Sequence, residues 1–303
     1  MSATLVIVLC LLTAVCWAAS PLLLKFGMRS ADFYEINVIR AMGFSGFCGA
    51  WLLATDPGAL VWRQAPILLG AVATNVLLGN VLGDLLYFRA LSDIGVSRAV
   101  AITSTYPLVA AGVSAFWLGE PLTVPLLLGT VSIVGGLVLL RMEGDSAEAR
   151  ELSHPVRGFL GALTAGIFWG MGIPITKWLV AFQGVDSSTV NLWRSLVLLT
   201  FSGALWLLPQ RGNPLGQRFR HLGTIPVNGW ISILLSGGVG LGVAGFMFIS
   251  VLRFAPASVV TPLTSTSPLL TTLFAVFVLG ERLRRIQWIG TVLVVAGSAA
   301  VGM

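Results

Sequence analysis

The chain has 303 residues, of which 56% are hydrophobic and 10% are charged, and its formal net charge is +6. A soluble domain carries about 25% charged residues, so this composition excludes an ordinary water-soluble protein. The basic balance does not indicate a nucleic-acid partner, because basic residues do not cluster with aromatic ones. We attribute it to loop arginines that set the orientation of the chain in a lipid bilayer.

Ten apolar runs of about the length needed to cross a bilayer follow one another along the chain. The first has no positively charged start and is too long for the core of a signal peptide, so we interpret it as the first helix. The cysteines lie inside apolar runs without metal-ligand spacing and the two histidines lie in connections, so we expect no metal site and no cofactor. The sequence predicts spanning helices over 3–26, 33–54, 65–90, 95–118, 124–141, 157–180, 187–208, 226–252, 257–280 and 285–302.

The later helices repeat at an offset of 161 residues. Thr103-Ser104-Thr105-Tyr106-Pro107-Leu108 recurs as Thr264-Ser265-Thr266-Ser267-Pro268-Leu269. At the same offset Leu118-Gly119-Glu120 recurs as Leu279-Gly280-Glu281. Apolar composition alone would not place proline, glycine and glutamate in register, so the two stretches are copies of one unit.

The earlier helices repeat as well. A tryptophan, a proline and a lysine follow one another twice, as Trp17, Pro21 and Lys25 and as Trp169, Pro174 and Lys177. An Asp-x4-Asn-x2-Arg pattern also occurs twice, at Asp32, Asn37 and Arg40 and at Asp186, Asn191 and Arg194. The two halves of the chain therefore correspond over nearly their whole length.

Each half holds five predicted helices, an odd number, so the second half enters the membrane from the opposite side. The sequence therefore predicts an all-α integral membrane protein in which two inverted five-helix repeats surround a central cavity. We divide the chain into a first repeat over 1–142, a polar linker over 143–156 and a second repeat over 157–303. The two repeats are called the N-terminal half and the C-terminal half below.

These paired features resemble the drug/metabolite transporter superfamily, and within it the ten-helix EamA-type transporters. The resemblance rests on the Leu-Gly-Glu motifs, the Pro107 and Pro268 helices, Trp17 and Trp169, and the Asn-x-x-Arg pairs, and it covers the whole chain. It implies a basket of helices one to four and six to nine, with helices five and ten more peripheral. It also implies a small transported solute, such as an amino acid, a nucleotide sugar or a drug.

The side of the membrane on which the termini lie stays open. Lysine and arginine concentrate near the loops after odd-numbered helices, so the positive-inside rule places both termini outside. The resemblance implies the opposite, with both termini in the cytosol.

Asp84 lies deep in the third predicted helix, with Asn80 one turn earlier on the same face. An aspartate at the centre of a spanning helix costs about 2.5–3.5 kcal/mol on insertion, so it needs an explanation. The repeat position is Gly245, so the repeat does not require an acid here. Two interpretations stay open: a proton or substrate-ammonium site, and a structural ion pair with Arg40 or Arg89.

Three further sets of paired residues also allow two interpretations each. The Asn and Arg pairs fit a scaffold role such as capping, or the binding of a substrate carboxylate, as Asn37, Arg40, Asn191 and Arg194. The paired tryptophans fit flat cavity walls or ordinary packing. The prolines fit fixed bends and hinges, as Pro21, Pro107, Pro174 and Pro268.

The predicted cavity is lined by aromatic, hydroxyl and polar residues, namely Trp17, Asn80, Asp84, Tyr87, Thr103, Tyr106, Trp169, Thr264 and Ser267. The sequence contains no P-loop and no His-Glu-x-x-His motif, so we expect neither ATP hydrolysis nor an enzyme. We predict a secondary transporter of the bacterial inner membrane that moves a small polar or amphipathic metabolite by alternating access, with amino-acid export favoured. A passive channel and a membrane-embedded enzyme are the alternatives, and a monomer suffices although an oligomer is compatible.

Overall fold

The computed structural model describes residues 2–27, 30–55, 65–94, 96–141, 154–208, 214–270 and 285–301. Over these ranges the regular structure is helical. The N-terminal half contains α1 (Ala3–Gly27), α2 (Phe33–Thr55), α3 (Pro66–Val76), π1 (Leu77–Gly83), α4 (Asp84–Ile94), α5 (Val96–Thr103), α6 (Tyr106–Leu118) and α7 (Val124–Arg141). The C-terminal half contains α8 (Pro155–Lys177), π2 (Trp178–Phe182), α9 (Ser187–Leu207), α10 (Leu215–Thr224), α11 (Val227–Gly237), π3 (Gly238–Val243), α12 (Ala244–Leu252), α13 (Ala257–Thr264) and α14 (Arg285–Val301).

Seven of the described helical stretches are long and apolar enough to cross a membrane. They are Ala3–Ser20, Tyr34–Thr55, Pro66–Tyr87, Ala101–Leu118, Pro155–Phe182, Ser187–Leu207 and Val227–Leu252. Val124–Leu140 and Arg285–Val301 are shorter apolar helices. The ninth predicted span, 257–280, is described only as far as residue 270, so the count of ten helices stays a prediction.

Large apolar side chains cover the outside of these helices. Phe116 is 96% exposed and Ile67 is 73% exposed, and many leucines and valines of the spans are also exposed. Contiguous apolar surface of this extent is unfavourable in water but is solvated by lipid chains. The span lengths and this outer surface together make the chain an integral membrane protein.

The Leu-Gly-Glu motif joins the two halves. Gly119 ends α6 with a φ of 69°, a left-handed conformation that glycine adopts without steric penalty. The next residue, Glu120, accepts hydrogen bonds from the backbone N–H of Ala257 at 2.8 Å and of Ser258 at 3.0 Å. A carboxylate is favourable at a helix N-terminus, so Glu120 caps α13 from the other half. The second copy, Leu279-Gly280-Glu281, lies outside the described residues.

Two spanning helices contain a π-helical segment in their middle, π1 between α3 and α4 and π3 between α11 and α12. A π turn closes its hydrogen bonds one residue later than an α turn, which leaves a carbonyl without its usual partner inside the helix. The first residues of the two segments, Leu77 and Gly238, are separated by the offset of the sequence repeat. Residues of both segments line a cavity between the halves.

The helices α7 and α14 pack against each other through glycine faces. A Cβ atom added to Gly136 would lie 2.8 Å from Val294 Cγ2, and one added to Gly297 would lie 2.6 Å from Gly129 O. Small residues of this kind allow two helix backbones to approach closely. Gly135, one position earlier, has no atom within 4 Å of such a Cβ.

We expect Gly136→Leu to destabilise the fold by about 1–3 kcal/mol, because the new side chain would overpack the contact between α7 and α14. The matched control is Gly135→Leu, which points into open space. Thermal unfolding in detergent measures both variants. Equal losses in the two variants would contradict this account of the packing.

A capping box holds the start of α2. Asp32 Oδ1 accepts the backbone N–H of Glu35 at 2.9 Å, and Glu35 Oε2 accepts the backbone N–H of Asp32 at 2.8 Å. Glu35 also lies 2.9 Å from Nδ1 of His221, which connects α2 to α10. The hydrogen bond with Glu35 raises the pKa of His221 above its ordinary value.

Because this pKa is raised in the folded protein, the stability from the His221–Glu35 pair is present below about pH 6.5 and is lost as the pH rises through the raised value. We therefore expect the unfolding temperature of wild type to exceed that of His221→Gln most at about pH 6. The difference shrinks at higher pH. Unfolding scans of the two proteins across pH measure it, and a difference independent of pH would refute the linkage.

Candidate functional site

A cavity of about 340 Å³ lies between the two halves. This volume falls in the range of small-molecule sites, about 300–1,000 Å³. Its polar lining comes from Arg40, Asn75, Asn80, Asp84, Thr176 and Arg194. Its aromatic lining comes from Trp17, Tyr106, Trp169 and Phe248. Among the described residues, α7 and α14 contribute nothing to the lining, so a polar chamber sits inside a shell of apolar helices.

The two paired tryptophans lie in the cavity wall and bind the π-helical segments of the opposite half. Trp17 donates its indole N–H to Gly240 O in π3 at 3.0 Å. Trp169 donates its indole N–H to Gly79 O in π1 at 3.1 Å. A buried indole N–H needs an acceptor, and the widened turn offers a carbonyl that the α-helix would have used itself. Each tryptophan is therefore fixed across the boundary between the halves.

Asp84 begins α4 directly after π1 and lines the cavity. Its Oδ1 accepts a second hydrogen bond from the Trp169 indole at 3.1 Å. The rings of Tyr87 and Tyr106 pack on Trp169 with centroid distances of 5.1 and 6.5 Å. At the repeat position, a Cβ on Gly245 would meet Asn191 Oδ1 at 2.9 Å, so a side chain there would be crowded. The acid therefore makes the cavity asymmetric.

The ion pair that the sequence offered as one interpretation of Asp84 does not form in this structure. The ion pairs among the described residues are Arg157 with Asp93 and His221 with Glu35. No nitrogen of Arg40 or Arg89 therefore lies within 4.0 Å of the Asp84 carboxylate.

Asn75 is a cavity residue that the sequence reasoning missed. Its Nδ2 donates to Gly172 O and, at 3.1 Å, to Thr176 Oγ1 on α8. Its Oδ1 accepts a hydrogen bond from Arg194 Nε at 3.1 Å. The amide thereby joins α3 to both α8 and α9. An asparagine within an apolar run was the available signal, since polar groups at membrane depth need partners.

The starts of α2 and α9 are capped by Asp32 and Asp186, the aspartates of the repeated Asp-x4-Asn-x2-Arg pattern. Asp186 Oδ2 accepts the backbone N–H groups of Ser188 and Thr189 at the start of α9. Asn191 is 1% exposed and donates to Gly242 O in π3 at 3.0 Å.

The two arginines of this pattern line the cavity together. Arg194 is held by Asn75, whereas Arg40 Nε is enclosed without a hydrogen-bond partner among the described residues. Asn37 lines a smaller neighbouring hollow, which it shares with Tyr34 and Asn80.

Four residues predicted for the cavity lie outside its lining, namely Tyr87, Thr103, Thr264 and Ser267. The Tyr87 ring packs against the Trp169 ring. The Thr103 and Thr264 hydroxyls donate to carbonyls one turn earlier in their own helices, at 3.0 and 2.9 Å. The other five predicted residues do line the cavity.

Three of the four prolines lie where helices are interrupted or change pitch. Pro107 is in the first turn of α6, directly after the break that separates it from α5, and Pro174 lies inside α8 shortly before π2. Pro268 follows the turn after α13, and Pro21 lies within α1.

No group of three or more His, Cys, Asp or Glu side chains is placed to hold a metal ion in the described part of the chain. What the cavity presents to a solute is two guanidinium groups, one carboxylate, amides and aromatic walls. Membrane-spanning helices around a polar chamber of this size are typical of proteins that move small solutes.

The chain belongs to the EamA-like transporter family, whose model matches residues 4–142 and 156–303. The resemblance inferred from the paired motifs is thereby confirmed. The chain is a membrane transporter at this level of description.

Individual relatives agree with this assignment, and a solved structure shares the fold. The chain is 23% identical over 278 residues to an uncharacterized transporter of Archaeoglobus fulgidus, an alignment that covers 91% of this chain and 90% of the relative. It is 29% identical over 130 residues to a chloroplastic phosphoenolpyruvate/phosphate translocator 3 of Oryza sativa, covering 43% of this chain and 31% of the relative. One crystal structure shares the fold with a TM-score of 0.78 at 18% identity, covering 99% of this chain and 96% of the other.

We expect Asn75→Ala to destabilise the protein by about 1–3 kcal/mol, because it removes the partner of Gly172 O and of the Arg194 guanidinium. Asn80→Ala is the matched control, since Asn80 lines the same cavity from π1 and the structure gives it no hydrogen bond to a described residue. Thermal unfolding of the purified variants is the measurement. An Asn80→Ala loss as large as that of Asn75→Ala would argue against the connecting role of Asn75.

Proposed function

We propose that the protein is a secondary transporter that carries a small polar or amphipathic metabolite by alternating access. The observation that carries this proposal is the polar cavity to which both halves contribute charged and aromatic side chains. Its volume accommodates a solute of amino-acid size but not a macromolecule. The sequence contains no P-loop motif, so we propose that a solute or ion gradient drives transport.

Alternating access requires two halves that can exchange roles, and several contacts support an inverted repeat here. The Trp17–Gly240 and Trp169–Gly79 hydrogen bonds occupy matching positions of the two halves. So do the Ser20 hydroxyl, which donates to Ser236 O, and the Asn75 amide, which donates to Gly172 O. The family match over 4–142 and 156–303 agrees with repeats over 1–142 and 157–303 joined by a linker.

A contact between the halves lies at the start of α13. Glu120 of the N-terminal half holds this helix start, and within the C-terminal half Lys177 Nζ donates to Ala255 O at 2.8 Å just before it. In the proposed cycle the contact between the halves opens while an equivalent one at the other end of the cavity forms. The breaks beside Pro107 and Pro268 are suitable hinges, because the backbone there lacks continuous helical hydrogen bonds.

Among solutes we favour an amino acid. Asp84 offers an anchor for an ammonium group or a site for a coupling proton, and the Trp17 and Trp169 rings offer apolar walls. We propose export across a bacterial inner membrane, on the basis of the family alone. A phosphorylated metabolite is the second candidate, because the rice relative is named for phosphoenolpyruvate and phosphate.

Counterflow in proteoliposomes tests the carrier proposal. Vesicles are loaded with one unlabelled solute from a panel of amino acids and phosphorylated metabolites, and uptake of its labelled form is followed. A carrier gives a transient overshoot, whereas a channel gives simple equilibration. Flat traces over the whole panel would remove the support for transport of these classes.

The matched variants for this assay are Asp84→Asn in the cavity and Asp93→Asn near the C-terminal end of α4. We expect Asp84→Asn to slow the overshoot by about tenfold or more, in line with the loss of a charge-assisted hydrogen bond. Asp93 pairs with the half-exposed Arg157 away from the cavity, so Asp93→Asn leaves the overshoot in place. Equal rates for Asp84→Asn and wild type would exclude Asp84 from substrate binding and proton coupling.

A further inference from the structure

The described charges that line the cavity do not balance. Two guanidinium groups, those of Arg40 and Arg194, face one carboxylate, that of Asp84. The described lining therefore carries an excess of one positive charge when all three groups are ionised. An arginine remains charged in proteins, so this excess cannot be removed by deprotonation of the guanidinium groups.

Arg40 is the group that lacks a hydrogen bond or ion pair at contact distance, and the Asp84 charge acts on it only from farther away. Its Nε is enclosed by protein without a hydrogen-bond partner, and no described carboxylate lies within 4.0 Å of its nitrogens. A guanidinium nitrogen that is enclosed without a partner is unfavourable, because its lost hydration is not replaced. The cavity therefore holds a donor group that no described residue satisfies.

Neither neighbouring charge supplies the missing partner. Asp84 Oδ1 accepts the hydrogen bond of the Trp169 indole, and its carboxylate remains beyond ion-pair distance of Arg40. Arg194 is bonded through Nε to the neutral oxygen of Asn75, which fixes its direction without balancing its charge. Asn75 is itself oriented by hydrogen bonds to Gly172 O and Thr176 Oγ1, so its contact with Arg194 is fixed on both sides.

We propose that the solute must carry an anionic oxygen group, a carboxylate or a phosphate, which binds Arg40 with help from Arg194. A guanidinium presents a planar fork of donors that fits such a group in a bidentate manner. The ammonium group of an amino acid is then optional, and amines without an oxyanion are not substrates. This inference rests on the proposed transport function and names the part of the solute that the cavity requires.

The test is equilibrium binding to the full-length protein in detergent, followed through intrinsic tryptophan fluorescence and through the shift in unfolding temperature. The probes form size-matched sets: phenylalanine, 3-phenylpropionate and 2-phenylethylamine; leucine, 4-methylpentanoate and 3-methylbutylamine; and phosphoenolpyruvate and inorganic phosphate as the phosphate arm. We expect binding only among probes with an oxyanion. The probes that bind more tightly, carboxylates or phosphates, show which oxyanion the cavity prefers.

The variants are Arg40→Gln and Arg40→Lys in the cavity, with Arg253→Gln as a matched control at the exposed end of α12. We expect Arg40→Gln to weaken oxyanion binding at least about tenfold, and Arg40→Lys to recover part of it. Arg253→Gln leaves binding unchanged. Arg194→Gln is a second cavity variant that repeats the test if Arg40→Gln fails to fold.

The stability of the ligand-free protein separates binding from scaffolding. If the role of Arg40 is to bind an anion, Arg40→Gln removes an unsatisfied charge. The unfolding temperature measured without added ligand then does not fall. A purely structural Arg40 gives the reverse, with a lower unfolding temperature and unchanged affinity.

Three results would overturn the inference: an amine that binds as tightly as its carboxylate partner, oxyanion binding that survives the loss of the Arg40 charge, or no binding by any oxyanion of the panel. These results differ from a failure of the transport proposal. Binding that depends on Arg40 without counterflow would retain the oxyanion site and reject the carrier, whereas counterflow of an amine would do the opposite.

Discussion

The bilayer core contains no water, so every backbone or side-chain polar group at membrane depth must find its partner within the protein. This constraint explains the cavity walls. The π1 and π3 segments free glycine carbonyls in the middle of spanning helices, and the indoles of Trp17 and Trp169 satisfy two of them from the opposite half. Two structural needs, a buried N–H and a freed C=O, are met by one bond. The same hydrogen bonds connect the two halves, so residues that line the cavity also hold the halves together.

Charges at the same depth follow a different logic, because they are tolerated only where they line a cavity or meet a counterion. Asp84 lies beside an indole N–H, Arg194 beside the Asn75 amide, and Arg40 without any such contact at Nε. Towards the helix ends, by contrast, Arg157 pairs with Asp93 and Glu35 with His221. Two ion pairs thus lie towards the helix ends, whereas the described charged groups of the cavity form none among themselves, which is the pattern expected of a chamber that receives a charged solute. The Glu120 cap on α13 adds a contact that ties the halves at one end.

Hydropathy predicted the helices well where lipid alone decides them. The predicted segments 33–54, 124–141 and 187–208 correspond to Phe33–Thr55, Val124–Arg141 and Ser187–Leu207. Hydropathy did not predict the helix breaks and π-helical turns that depend on hydrogen bonding. The third segment was predicted as one helix over 65–90, yet it runs to Ile94 and contains π1. The fourth predicted segment breaks between Thr103 and Tyr106. The connection after α9 contains the short amphipathic helix α10, which packs on its neighbours: Arg218 of α10 lies over the ring of Trp206.

By itself the sequence determined the membrane environment, the correspondence between the halves, and the family. Each follows from composition or from residues in fixed register, which do not depend on how the helices pack. It also singled out Trp17, Asp84 and Trp169, because polar and aromatic groups inside apolar runs are conspicuous. Only the tertiary structure decided that Arg40 and Arg194 share the cavity, that Asn75 joins three helices, and that Thr103 and Thr264 bond their own helices instead. The physical reason is that each of these depends on which face of a helix meets which neighbour, and an apolar run that lipid accepts on every side carries no periodicity to reveal that face.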